Sequence, residues 1–164
     1  MLCCPFADLD AMIEDHCGCP VPEIFSASGE AEFRRIEKEI LKDVLETSET
    51  RQCAPEDNLG MILALGGGAV MTPECEKMVH ERTFCVYLRA SVDELVTRLS
   101  SETAGRPLLD TALRTERAET SALRARIQEL MSLRSSTYER VAHHIVDTDG
   151  KTIDDIAQEI RNCF

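Results

Sequence analysis

The chain has 164 residues, of which 43% are apolar and 29% charged, and its formal net charge is −12. This length suits a single domain with one core, and the composition is that of an ordinary globular protein. The acidic excess argues against a nucleic-acid partner, which requires clustered Lys and Arg. It remains compatible with a small phosphorylated ligand held by a few arginines and a metal ion.

The spacing of the cysteines and the lack of targeting signals predict that the protein is cytoplasmic. The eight cysteines form no CxxC pair, so a zinc ribbon or a thioredoxin-type site is not expected. The sequence shows no signal peptide, no transit peptide and no long apolar segment. We therefore expect free thiols in a cytoplasmic, soluble protein without a membrane partner.

The chain opens with a strand-like run and two helical patterns. Residues 4–10 predict a short strand that ends in acids, and the amphipathic stretch AMIEDHCG follows and closes at Gly18. Apolar residues at helical spacing predict a strong helix over about 30–46, whose charges mostly form a solvated outer face. The stretch VPEIFSASGE leads into this helix.

Three consecutive glycines, Gly66, Gly67 and Gly68, follow a predicted buried strand over 61–65. They are not a Walker A phosphate cradle, because the pattern GxxxxGK[ST] occurs nowhere in the sequence. At the carboxyl end of a parallel strand, glycine lets main-chain N–H groups approach a ligand closely. A plain turn is the alternative. The next helix is predicted to begin with Thr72 as its N-cap.

The second half continues the alternation. Residues 83–88 predict a strand, and Ser91 with Glu94 predicts a capping box at the start of a helix. The pattern breaks down over about 101–117, which contains Gly-Arg-Pro and scattered charge and is predicted to be a mobile excursion.

The last elements are a long helix over roughly 118–142, a strand over 144–148 and a helix over 152–164. Strands that alternate with helices predict an α/β domain with a parallel sheet. Without repeats or linkers, residues 1–164 are expected to form a single domain.

Six short motifs occur along the chain in a fixed order. They are DLD (Asp8, Asp10), GEAEFRRIE (Arg34), LGGGAV, GRPLL (Arg106), LRSSTYERVA (Arg134) and VDTDGKT (Lys151). This ordered set covers essentially the whole chain and resembles shikimate kinase, the ATP-dependent enzyme of the aromatic amino-acid (chorismate) pathway. The stretch EIFSASGEAEFRRIE is the most specific part. The resemblance implies a three-layer α/β/α parallel sheet of the P-loop-kinase type.

The resemblance also implies roles for individual residues in transfer of the ATP γ-phosphate to the 3-hydroxyl of shikimate. Asp8 would help to hold Mg²⁺. Asp10 would accept hydrogen bonds from the ring hydroxyls and act as general base. Arg34 and Arg134 would bind the shikimate carboxylate, since arginine offers two parallel donors. Gly67, with its neighbours in the triplet, would offer backbone N–H to the substrate.

Three further residues are assigned to the nucleotide by the same resemblance. Arg106 would sit on a mobile lid at about 101–117 and reach the phosphates, where it would act in catalysis. Arg98 and Lys151 would lie near the adenine. The partners implied are thus small molecules only, with ATP as co-substrate.

Each of these residues also has an ordinary structural interpretation when it is taken alone. An Asp at a strand end commonly caps a helix or is solvated. Taken alone, Arg34 is better explained as the partner of an Asp or Glu on its own helix. Arg134 is one of several arginines on a charged helix. Only the joint pattern favours the functional roles.

The sequence departs from the family at its start, where only MLCCPF precedes ADLD. The family has a strand, a Walker A loop and most of a helix before the DxD strand. We therefore expect an N-terminally incomplete shikimate kinase, which lacks the central first strand, is of doubtful activity and would be a monomer when complete. The alternatives are a non-catalytic shikimate-binding protein, or another small-molecule kinase of this fold, such as a gluconate kinase relative.

Overall fold

The computed structural model describes residues 4–50, 60–100 and 116–164. The strands are β1 (Phe6–Asp8), β2 (Ile62–Ala64), β3 (Val86–Arg89) and β4 (His144–Asp147). The helices are α1 (Leu9–Cys17), α2 (Val21–Thr50), α3 (Pro73–Arg82), α4 (Val92–Leu99), α5 (Glu116–Val141) and α6 (Ile153–Arg161). Strands and helices alternate and both strand pairs are parallel, which confirms the predicted α/β class.

Contacts divide the chain into two compact units, Met1–Arg82 and Thr83–Phe164. The first unit pairs β1 with β2, and the second pairs β3 with β4. The expectation of one domain over residues 1–164 stays a prediction. In the part of the chain that the structure describes, no helix is long and apolar enough to cross a membrane.

The first strand passes into α1 without a loop, because Asp8 is both the last residue of β1 and the N-cap of α1. Its Oδ1 accepts from the backbone N–H of Asp10 at 2.9 Å and of Ala11 at 3.2 Å. The prediction of a strand over 4–10 was therefore too long, since this cap places Asp10 in the first helical turn. Gly18 ends α1 in the left-handed conformation, as its position predicted.

Helix α2 begins at Val21, earlier than the predicted start near residue 30, and it contains a break. Gly29 has φ 77° and ψ 171°, a conformation open to glycine and costly for residues with a β-carbon. The rings of Phe25 and Phe33 lie 4.6 Å apart, one from each side of this break. The sequence EIFSASGEAEF thus forms two helical segments joined at Gly29, and the second of them carries the candidate site.

The core of the first unit forms where α1 packs against α2. Leu9 and Ile13, four residues apart on α1, are fully buried. On α2 the buried face runs through Phe33 and Leu41, with an acid, Glu37, between them. The charges of this helix are mostly solvated, as predicted, and Glu37 is a buried exception.

The second unit is built on a β3–β4 register that pairs Arg89 with Asp147, and on a small α4–α5 core that includes Val96 and Ile127. Ser91 is the N-cap of α4, as predicted. Its own N–H donates to Asp149 at 2.9 Å rather than to Glu94, and Glu94 instead pairs with Arg98.

A reciprocal capping box does occur at the start of α6. Thr152 and Asp155 there exchange side-chain and backbone hydrogen bonds. At the start of α4, the predicted capping box is thus replaced by the hydrogen bond from the Ser91 N–H to Asp149, which follows β4.

Candidate functional site

An acid and a cation meet the glycine turn that follows β2. A β-carbon built on Gly66 would lie 3.3 Å from Oδ1 of Asp10, and one built on Gly68 would lie 2.2 Å from both Nη1 and Nη2 of Arg34. Among the described glycines, positive φ values occur elsewhere, at Gly18, Gly29 and Gly150. The triplet therefore uses glycine at these two positions for close approach of side chains, and not for a left-handed backbone.

The Arg34 guanidinium is held in place from its own helix. Its Nη1 donates to Oε2 of Glu37 at 2.7 Å, and its Nη2 lies 3.4 Å from Oε1 of Glu30. The guanidinium carbon stands 5.2 Å from the centre of the Phe33 ring, within the range of a cation–π contact. The ordinary interpretation of Arg34 as a helix ion-pair partner is thus correct, and Arg34 also faces the glycine turn.

Asp10 presents a carboxylate that accepts no hydrogen bond from any described residue. Partial burial raises the pKa of Asp10 above its ordinary value, and the negative charges of Asp8 and Glu14 raise it further, whereas Arg34 lowers it. A carboxylate with a raised pKa is a better proton acceptor. Asp10 can therefore both accept hydrogen bonds from ligand hydroxyls and take a proton from one of them.

The carboxylate of Asp8 can serve a second purpose beside its cap. Both bonds of the cap use Oδ1, so Oδ2 has no hydrogen-bond donor among the described residues. Asp8 lies close enough to Asp10 for its charge to raise the pKa of that residue. Mg²⁺ is commonly held by one or two carboxylates together with water and phosphate oxygens. Asp8 and Asp10 fit that donor set, although no cluster of three or more ligating side chains occurs in the described residues.

Arg134 belongs to the second unit, where it is half-buried on α5. It forms no hydrogen bond or ion pair with another described residue, unlike Arg34. One turn later on the same helix, Tyr138 packs against Tyr87 of β3, with ring centres 5.2 Å apart. Arg134 thus projects from a packed helix with its charge uncompensated within residues 4–50, 60–100 and 116–164.

The carboxyl ends of β3 and β4 enclose an open hollow of about 370 Å³. The residues that line it are Arg89, Ala90, Ser91, Asp147 and Asp149. The pKa of Asp149 is held below its ordinary value because the Ser91 side chain and backbone both hydrogen-bond to it. Asp147 stays charged for a similar reason, since Arg89 binds it through two nitrogens, at 2.6 and 2.9 Å.

Arg98 and Lys151 border the turn that follows β4. Arg98 donates to the backbone oxygen of Thr148 at 3.2 Å and pairs with Glu94. Lys151 pairs with Glu159 of α6. The structure therefore anchors both residues predicted to lie near adenine to their own unit, next to the hollow.

The structure brings together four of the predicted site residues, which are Asp10, Arg34, Gly66 and Gly68. Gly67 lies in the same turn. Arg106 and nearly all of the predicted lid fall outside the described residues, and the predicted roles remain predictions. The sequence predicted an acid partner for Arg34 on its own helix but did not identify it as Glu30 or Glu37. Glu37 could have been found as the acid between Phe33 and Leu41 on the buried stripe.

Solved structures with the same fold define the class of protein. A shikimate kinase from Acinetobacter baumannii in complex with shikimate has a TM-score of 0.79 and 26% identity, and covers 97% of this chain and 77% of its own. The enzyme from Bacteroides thetaiotaomicron has a TM-score of 0.76 and 25% identity, and covers 98% and 81%. The chain therefore has the α/β fold of the P-loop kinases.

The particular family follows from the sequence comparisons. The family model for shikimate kinase matches residues 1–164, and the chain belongs to the shikimate kinase family. The shikimate kinase of Bordetella pertussis is 41% identical over 148 residues, which are 90% of this chain and 60% of that protein. The enzyme of Salinibacter ruber is 37% identical over 147 residues, with coverages of 88% and 65%. The chain thus spans less than two thirds of the length of these relatives.

Proposed function

We propose that the chain acts as a shikimate kinase and transfers the γ-phosphate of ATP to the 3-hydroxyl of shikimate with Mg²⁺. One observation carries the proposal beyond family membership. The Asp10 carboxylate and the Arg34 guanidinium approach the same glycine turn, so an acceptor for hydroxyls and a cation for a carboxylate stand side by side. A small polyhydroxy acid requires this pair of groups.

Arg34 and Arg134 bind the shikimate carboxylate in this proposal, and the backbone of Gly67 supplies a donor to the substrate. Asp10 accepts the ring hydroxyls and takes the proton of the attacking hydroxyl, because burial and neighbouring acids raise its pKa. The missing β-carbons at Gly66 and Gly68 leave the space in which these side chains meet.

Asp8 would help to hold Mg²⁺, which when bound offsets the negative charge of the phosphates. Arg106 would reach the phosphates from a lid over 101–117 and exclude water on closure. Arg98 and Lys151 would lie near the adenine, beside the hollow at the ends of β3 and β4.

The test is shikimate-dependent release of ADP from ATP and Mg²⁺ by the purified chain, with gluconate as a competing substrate. Turnover with shikimate and none with gluconate would support the proposal. Binding of shikimate without turnover would favour a non-catalytic shikimate-binding protein, and turnover with gluconate would favour another kinase of this fold. The Arg34→Ala variant should bind shikimate more weakly by about 1.5–3 kcal/mol, the contribution of a hydrogen bond to a charged group.

A further inference from the structure

Two glutamates share the Arg34 guanidinium unequally. Glu37 is 3% exposed and accepts from Nη1 at 2.7 Å, whereas Glu30 is 54% exposed and stands 3.4 Å from Nη2. The first contact is short and largely shielded from water, and the second is long and open to it. Arg34 therefore has one firmly held nitrogen and one weakly held nitrogen.

We propose that Glu30 competes with the substrate carboxylate for Nη2 of Arg34, and so sets how tightly and how selectively the site binds anions. The inference rests on the proposed function, because it takes Arg34 as the carboxylate-binding group. Glu37 keeps Nη1 and fixes the orientation of the guanidinium plane. Glu30 loses its contact with Nη2 when a ligand carboxylate binds to that nitrogen.

The exposure of the two glutamates to water determines which of them loses its contact with Arg34. Breaking a contact to a buried carboxylate removes a charge-assisted hydrogen bond in a poorly solvated place, where water cannot replace it, and this is strongly unfavourable. An exposed carboxylate that loses a partner is solvated again by water, so exposed ion pairs stabilise proteins only weakly. Glu30 can therefore release Nη2 at little cost, and Glu37 cannot release Nη1.

The break in α2 also favours release by Glu30. Gly29 interrupts the helix, so Glu30 opens the second helical segment. A negative charge in the first turn of a helix is favoured by the helix dipole. The carboxylate of Glu30 thus remains well placed when its contact with Arg34 is lost.

A neighbouring trio on the same helix provides the matched control. Arg35 pairs with Glu32 at 2.6 Å and with Glu39 at 2.6 Å, and all three side chains are exposed. The Arg35–Glu39 pair has the same four-residue spacing as Glu30–Arg34. Arg34, unlike Arg35, lies against the glycine turn. Neutralising Glu39 removes the same charge from the same helix without touching the candidate site.

The experiment measures shikimate affinity by calorimetry for the unmodified chain and for the Glu30→Gln, Glu39→Gln and Arg34→Ala variants. Glu30→Gln should bind shikimate about two- to fivefold more tightly, the range that corresponds to an exposed ion pair. Glu39→Gln should match the unmodified chain. The cyclohexene triol without the carboxylate, titrated by NMR, should bind the Glu30→Gln variant and the unmodified chain equally.

The two proposals fail in different ways. If Arg34→Ala binds shikimate normally, Arg34 is not the carboxylate-binding group and the proposed function loses this residue. If Arg34→Ala binds weakly but Glu30→Gln is unchanged or weaker, competition by Glu30 is wrong while the proposed function stands. An equal shift for shikimate and the triol would mean a general structural effect, and would also overturn the competition. If the triol binds too weakly to titrate, the comparison of shikimate affinity between Glu30→Gln and Glu39→Gln decides whether the competition by Glu30 is correct.

Discussion

Substitution of Gly68 by alanine separates the binding role of the glycine turn from its role in folding. The new β-carbon would lie 2.2 Å from both terminal nitrogens of Arg34 and 2.4 Å from its Cζ. Non-bonded atoms of this kind pack at ~3.5 Å, so the guanidinium must retreat by roughly 1 Å. The backbone of Gly68 needs no positive φ, and alanine is therefore free of conformational strain there.

The displaced atoms are the far end of a flexible side chain, so the cost falls on binding and not on stability. A binding group misplaced by about 1 Å can lower activity by about 10²-fold. We expect a comparable loss of shikimate affinity in the Gly68→Ala variant, with a change in unfolding free energy below about 1 kcal/mol.

Calorimetric titration with shikimate and thermal melting of the same samples test both halves of this expectation. Gly60→Ala is the control, because a β-carbon at Gly60 meets nothing within 4 Å and its φ is not positive. Shikimate binding of normal strength by the Gly68→Ala variant would refute the assignment of the turn to the ligand. Unfolding of that variant would show that the turn serves the fold itself.

Three further variants test the charges and the helix break. Asp10→Asn should lose activity but melt at a higher temperature than the unmodified chain at pH 7. The reason is that the pKa of Asp10 is raised in the folded state, so its ionised form opposes folding. The gain in melting temperature should vanish as the pH falls below 3.8, the ordinary pKa of an aspartate. Gly29→Ala should lower the free energy of unfolding by about 1–3 kcal/mol, since φ 77° with ψ 171° is a backbone conformation nearly restricted to glycine. Gly60→Ala should leave the free energy of unfolding nearly unchanged in the same urea titration. Glu37→Gln should weaken shikimate binding and cost about 1.5–3 kcal/mol of stability, because it removes the charged partner of Arg34; normal values for both would contradict its role as the anchor.

The regular elements were predictable where one local signal dominates. Apolar runs placed each of the strands in the described residues, and Gly18 and Thr72 correctly marked the end of α1 and the start of α3. The errors lie where signals compete. Asp10 was assigned to a strand end, but because Asp8 caps α1, Asp10 lies in the first turn of that helix. The backbone N–H of Ser91 donates to Asp149, which is 58 residues away in the sequence, instead of to Glu94.

The candidate site could be predicted only as a list of residues. The motif order pointed to Asp10, Arg34 and the glycine triplet, yet no rule of spacing shows that an arginine lies against Gly68. That contact depends on how α2 packs beside the turn after β2. Glu37 was hidden for the same reason, because an acid on a helix is solvated unless tertiary packing covers it.

These contacts explain why the glycines, the acid and the arginine form one physical unit. A β-carbon at Gly68 would push Arg34 away, and loss of Arg34 would remove the positive charge that lowers the pKa of Asp10. Burial and the neighbouring acids would then raise that pKa unopposed, and Asp10 would move towards its neutral form. Arg34 thus has two effects on Asp10 that oppose each other in catalysis, since it favours the ionised form of the carboxyl and also lowers its basicity. In the proposed function, the guanidinium that would bind the substrate carboxylate would therefore also tune the basicity of Asp10 beside it, through charge alone.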